Sequence, residues 1–150
     1  MHRAAALALA FLALAPAPGF AADGLTAVKS PYSVKETIDR LEAAAKARNL
    51  TVFLRVDHAA GAQKAGKTLR ATELLVFGNP QGGTPLMECA QSAGIDLPLK
   101  ALAWQDVAGQ VWLGYNEPAY LAARHGAGTC AVVPNLKKAL EGLAAEATKQ

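Results

Sequence analysis

LKALAWQDVAGQVWLGYN, Leu99–Asn116, is the stretch that decides the fold. Two strand-like runs, LKALAWQD and QVWLGYN, enclose Val107-Ala108-Gly109, and a short glycine-containing loop between such runs predicts a β-hairpin. A hairpin makes its strands antiparallel neighbours, so the sheet is not one built only from parallel crossovers.

Outward from that hairpin, TELLVFGN (72–79) is apolar on both faces from Leu74 to Phe77 and predicts an interior strand. TVFLRVD (51–57) and Leu25–Lys29 supply further strands, the latter ended by Ser30-Pro31. SVKETIDRLEAAAKARN (33–49) reads as a helix opened by the capping box Ser33/Glu36, with Val34, Ile38, Leu41 and Ala45 on its core face. His58–Lys67 is small and glycine-interrupted, with room for a short helical turn. GTPLMECAQSAG (83–94) predicts a helix entered through Thr84-Pro85 and closed by Gly94. EPAYLAARHG (117–126) predicts a short helix with Pro118 in its first turn and Gly126 as its stop. Leu136, Leu140, Leu143 and Ala147 mark an amphipathic C-terminal helix. The order β-α-β, short helix, β-α-β-β-α-α predicts an α+β two-layer sandwich, an antiparallel or mixed sheet with helices packed on it.

The N-terminus has a different reading. Residues 1–21 carry a short basic start (His2, Arg3), an apolar run from Ala4 to Ala15, two prolines and then small residues. That is the pattern of a secretory signal peptide, cleaved after Ala21 with Ala22 as the alternative, and the run is too short for a bilayer, which takes roughly 20 residues. The expectation is one domain over 22–150, with a helical C-terminal extension from about 127, exported to the periplasm or secreted. The chain has 15 Lys+Arg and 12 Asp+Glu, and cleavage removes only Arg3, leaving 14 against 12. Charges so balanced and scattered exclude nucleic acid and membrane surface as expected partners.

Candidate chemistry falls in few places. The run Phe77–Ala90 brings Asn79, Gly82, Gly83 and Thr84 to the entrance of a helix, where free N–H groups and open backbone suit an anion or small polar ligand. The same residues serve an ordinary strand-to-helix loop, with Thr84 as N-cap. His58 suits a general base, a metal ligand, an axial ligand of a haem, or a strand-end histidine bonded to nearby backbone; haem is the one cofactor these residues suggest. Asp57 beside it should face the other way and form no relay. His125 suits a ligand role or, with Arg124, the negative end of a helix. Trp104, Trp112, Tyr115 and Tyr120 suit a ligand cleft, a dimer face or the core. Cys89 and Cys130 are either a disulfide, as an oxidising compartment favours, or one packed cysteine and one loop thiol. No CxxC, HxxxH, P-loop or GxSxG occurs, so no metal set and no catalytic motif is expected.

Four strings carry a resemblance: HAAGAQKAG (58–66), TELLVFGNPQGGTPLM (72–87), GIDLPLKALAWQD (94–106) and VWLGYNEPAYLAARHG (111–126). With the preceding SPYSVKETIDRLEAAAKARNLTVFLRVD they resemble the domain of unknown function 302 (DUF302) family over about residues 25–126. The resemblance implies a compact α+β fold of the TT1751-like type, seen as a homodimer, and no assigned reaction. His58, Asn79, Thr84, Tyr115 and His125 fall on the family's pattern; Cys89 and Cys130 are this chain's own. The functional expectation is a non-enzymatic exported homodimer that binds a small ligand. Its alternatives are a redox or acid/base enzyme using His58 or the cysteine pair, and a structural interaction module.

Overall fold

The computed structural model describes residues 22–150; the expected signal peptide, residues 1–21, lies outside the described residues. The strands are β1 (Leu25–Ser30), β2 (Thr51–Asp57), β3 (Thr72–Gly78), β4 (Leu99–Gln105) and β5 (Val111–Asn116). The helices are α1 (Val34–Ala47), α2 (His58–Lys64), α3 (Pro80–Cys89), α4 (Pro118–Arg124) and α5 (Val133–Thr148), with a 3-10 turn at Gln91–Ile95. The strands form one sheet in the order β1-β5-β4-β3-β2, and every neighbouring pair is antiparallel. The hairpin predicted over Leu99–Asn116 is β4–β5. Its turn is fixed by Asp106, whose carboxylate accepts the N–H groups of Ala108 and Gln110 at 2.9 Å each, and by Gly109 at φ +84°.

Strand alternation gives the sheet two different faces. Leu75 and Phe77 of β3, Ala101 and Ala103 of β4, and Leu113 and Tyr115 of β5 share the face that α1 and α5 cover. The expected core face of α1 is buried there, and Ser33 caps it by accepting the Glu36 N–H at 3.1 Å. The C-terminal helix is part of the same core: Leu140, Leu143, Ala144 and Ala147 of α5 pack with α1 and the sheet. Each fully buried leucine of this set contributes about 1.5–3 kcal/mol through removal from water. A second, smaller cluster gathers Leu86 of α3, Ala93, Ala122, Cys130 and Leu136 beside the sheet.

One element starts elsewhere than the sequence predicts. α3 begins at Pro80, not near Thr84, so Gly82, Gly83 and Thr84 are helical and Pro85 lies inside the helix. Asn79 is the N-cap and Pro80, which has no N–H to leave unpaired, takes the first helical position. The helix stops at Cys89 because Ala90 is extended at φ −155°, and the rest of the predicted helix is the 3-10 turn.

Candidate functional site

Between the β3 and β4 ends of the sheet, α3 and α5 lies a cavity of about 610 Å³. Phe77 and Leu99 line it from the sheet, Leu136 and Leu143 from α5, Met87 from α3, and Leu97 from the segment entering β4. Phe53 extends the wall from β2; it falls where the β2–β3 register shifts, and it is 55% exposed. An edge-strand bulge thus presents an aromatic ring at the cavity margin. The polar contributors are neutral: Asn79, Gln81, Thr84 and Asn135. Among the described residues, none that lines the cavity is Asp, Glu, Lys, Arg or His.

Four expected site residues, Asn79, Gly82, Gly83 and Thr84, therefore meet at this one cavity. Their local geometry does not suit an anion. Asn79 Oδ1 accepts the Gly82 N–H at 2.8 Å, and the Gly83 N–H goes to the Asn79 carbonyl at 3.1 Å. The two glycine N–H groups that this helix entrance would offer a ligand are thus spent on the helix's own cap residue. Gly82 serves close packing instead: a Cβ there would meet Leu136 Cδ2 of α5 at 3.4 Å.

The remaining expected residues lie apart from the cavity. His58 is exposed at the first position of α2, and Asp57 is that helix's N-cap, accepting the Ala60 N–H at 2.8 Å. Tyr115 is a core residue, 4% exposed, and burial before all else pushes its phenol pKa up. Trp104 and Trp112 are cross-strand partners on the sheet face away from α1 and α5. Among the described residues no group of three or more His, Cys, Asp or Glu could hold a metal ion.

His125 is the C-cap of α4, at the helix end where the sequence placed it, and its ring bonds residues to which the sequence did not point. Its Nε2 lies 2.7 Å from Asp96 Oδ2 and its Nδ1 2.9 Å from Ser92 Oγ, while Arg124 Nη1 donates to Asp96 Oδ1 at 3.1 Å. When Nε2 carries the proton to Asp96, Nδ1 is free to accept the Ser92 hydroxyl proton. The array fastens the 3-10 turn to the end of α4, and with it the Gly94–Pro98 wall of the cavity. The pairings span 29 and 33 residues, and only the i, i+4 spacing of Ser92 and Asp96 hinted at them.

Cys89 and Cys130 form a disulfide with Cα atoms 6.0 Å apart. It joins the C-terminal end of α3 to the turn before α5, the two helices that flank the cavity.

A model for the domain of unknown function DUF302 matches residues 26–143. The chain is 55% identical over 105 residues to a fluoride-specific ion channel, FluC 1, of Brucella suis, covering 70% of this chain and 41% of that protein. It is equally identical to a fluoride-specific ion channel, FluC 2, of Brucella melitensis, covering 39% of that protein. The chain thus spans about two fifths of the length of these curated relatives. In three dimensions it resembles the crystal structure of an uncharacterized conserved DUF302 protein from Bacillus stearothermophilus. The TM-score is 0.76 at 21% identity, over 85% of this chain and all of that one. The chain belongs to the DUF302 family.

Proposed function

We propose that this DUF302 domain is a non-enzymatic, exported accessory module that binds an uncharged, mainly apolar small molecule in the cavity between α3 and α5. The observation that carries the reading is the lining itself: apolar side chains, a few neutral amides and a hydroxyl, and no charge. A cavity of about 610 Å³ has the size of small-molecule sites, commonly some 300–1,000 Å³. A ligand of roughly 20 non-hydrogen atoms at about 0.3 kcal/mol each gives about 6 kcal/mol, hence binding in the tens of micromolar. Export is supported by the leader pattern and by the disulfide, which persists in oxidising compartments.

The accessory part of the reading draws on the longer relatives, which carry a matching segment beside other sequence and are named as fluoride-specific channels. Among the described residues no helix is long and apolar enough to cross a membrane. The uncharged cavity offers a fluoride ion no counter-charge, so the module is read as a partner to transport and not as its ion site. A homodimer is proposed as well, through the sheet face that bears Leu54, Leu102 and Trp104, with Leu54 54% exposed. Native mass spectrometry of Leu54→Lys beside the unaltered protein tests it: a dimer converted to monomer supports that face.

The binding reading is tested by thermal shift against a panel of neutral apolar compounds, with Ala139→Trp as control. Ala139 is exposed yet lines the cavity, so the indole should fill the site without disturbing the core. Stabilisation by panel members that disappears in Ala139→Trp supports the site; a panel without effect on either protein counts against it. A second reading, acid/base chemistry, is favoured by the Ser92–His125–Asp96 array. Labelling of Ser92 by a fluorophosphonate, lost in His125→Gln, would support it, and an unlabelled Ser92 would remove it.

A further inference from the structure

We infer that α3 is a gate over the cavity and that the Cys89–Cys130 disulfide is its latch. The inference rests on the cavity being the ligand site. α3 supplies Pro80, Gln81, Gly82, Gly83, Thr84 and Met87 to the lining, more than any other helix, so displacing it opens the cavity along one whole side.

Of the two helices that flank the cavity, α3 is by its sequence the less able to hold its own position. It contains two glycines and an internal proline, residues that disfavour helix by about 1 and 3 kcal/mol each relative to alanine. Pro85 also lacks the N–H that would bond one turn back. Leu86 is the one residue it buries, whereas α1 and α5 each bury six. Its N-terminal end is continuous with β3, and its C-terminal end is bonded through Cys89 to Cys130. The turn that follows is separately fastened by His125 to α4. The covalent bond therefore holds a side of the cavity that is weakly held otherwise.

The two sulfurs differ in access. Cys89 is exposed and Cys130 is buried, so a dithiol reductant reaches Cys89 first. Its thiolate attacks Cys89 Sγ, breaking the Cys89–Cys130 bond and forming a mixed disulfide, while Cys130 leaves as thiolate and takes up a proton. The second thiol of the reductant then attacks its own sulfur in the mixed disulfide. Cys89 is released as a thiol and the reductant leaves as a disulfide, with two electrons and two protons passed to the protein. Cys130 Sγ lies 3.5 Å from the Pro85 carbonyl, which then accepts its S–H.

Hydrogen exchange measured on the oxidised protein, the protein reduced with dithiothreitol and a Cys89→Ser/Cys130→Ala variant tests the latch without any ligand. The expected result is amide exchange at least tenfold faster over residues 80–90 in the reduced and variant proteins, with β3, β4 and β5 unchanged. Release of N-phenyl-1-naphthylamine, a neutral apolar fluorophore, should quicken by a similar factor and return to its slow rate on reoxidation. Unchanged exchange in α3, or an increase spread equally over the strands, overturns the latch. Loosening of α3 with no probe taken up by either form overturns the ligand reading of the cavity and leaves the latch standing.

Discussion

Glu73 sits 8% exposed on the helix-covered side of β3, and what makes a carboxylate tolerable there is Arg55 of β2. That guanidinium bonds Glu73, reaches Asp39 and Glu42 of α1, and is held charged foremost by the Glu73 bond. Arg55→Leu strands the carboxylate, and a loss of about 2–4 kcal/mol in urea denaturation is expected, partly recovered by adding Glu73→Gln. The same cluster sets an acid limb. Asp39 is held below its ordinary pKa first by the Lys35 bond and then by Arg55; Glu42 is lowered first by Lys46, with Arg55 adding to it. A lowered folded-state pKa means the unfolded chain binds more protons as pH falls through the carboxylate range. This stability is therefore present above about pH 4 and lost on acidification. The urea midpoint should fall between pH 6 and pH 3.5, and less steeply in Arg55→Leu; equal slopes would refute the assignment. Residues whose role is local, such as Ser33 as a cap and Gly126 at φ +72° as a helix stop, could be read from the sequence. Arg55–Glu73 and His125–Asp96 could not, because they join positions 18 and 29 residues apart and depend on strand register and helix docking.

At the scale of elements, α3 is where sequence and structure diverge. Gly82-Gly83 signals a loop, yet Asn79-Pro80 is a sound helix start, and the Asn79 side chain and carbonyl take up the glycine N–H groups that open the helix. A Cβ on Gly83 would meet Leu97 Cδ1 at 3.5 Å, an ordinary contact. Gly83→Ala should therefore stabilise α3 by about 0.5–1 kcal/mol and slow its amide exchange. Asn79→Ala should cost about 1 kcal/mol through loss of the cap and raise exchange in the same helix. If both variants leave exchange in α3 unchanged, the helix is held by something other than its own residues. α1, β3 and the β4–β5 hairpin were legible because each shows its period over many residues: helical spacing in one, an apolar run in the next, two strand runs about a glycine turn in the last.

The molecule as a whole is an antiparallel sheet with helices packed on it and one covalent tie across a 41-residue separation. A loop of that length gives the disulfide about 4 kcal/mol through the unfolded state, so dithiothreitol should lower the urea-extrapolated stability by about that much. A change under 1 kcal/mol would mean that the tie is thermodynamically idle. Fold class and family could be read from strings of consecutive residues. The cavity could not, since its walls come from positions between Leu50 and Leu143 that only the folded chain assembles. The glycine loop was visible as a candidate, but for an anion or small polar ligand or as a plain strand-to-helix loop, because the sequence does not show that Asn79 consumes the glycine N–H groups. The most direct measurement is a fluorescence titration of N-phenyl-1-naphthylamine into the unaltered protein, Ala139→Trp and His58→Ala. Saturable uptake of one probe per chain is expected, abolished in Ala139→Trp and unchanged in His58→Ala. Uptake that survives Ala139→Trp, or no saturable uptake at all, would contradict the ligand reading of the cavity.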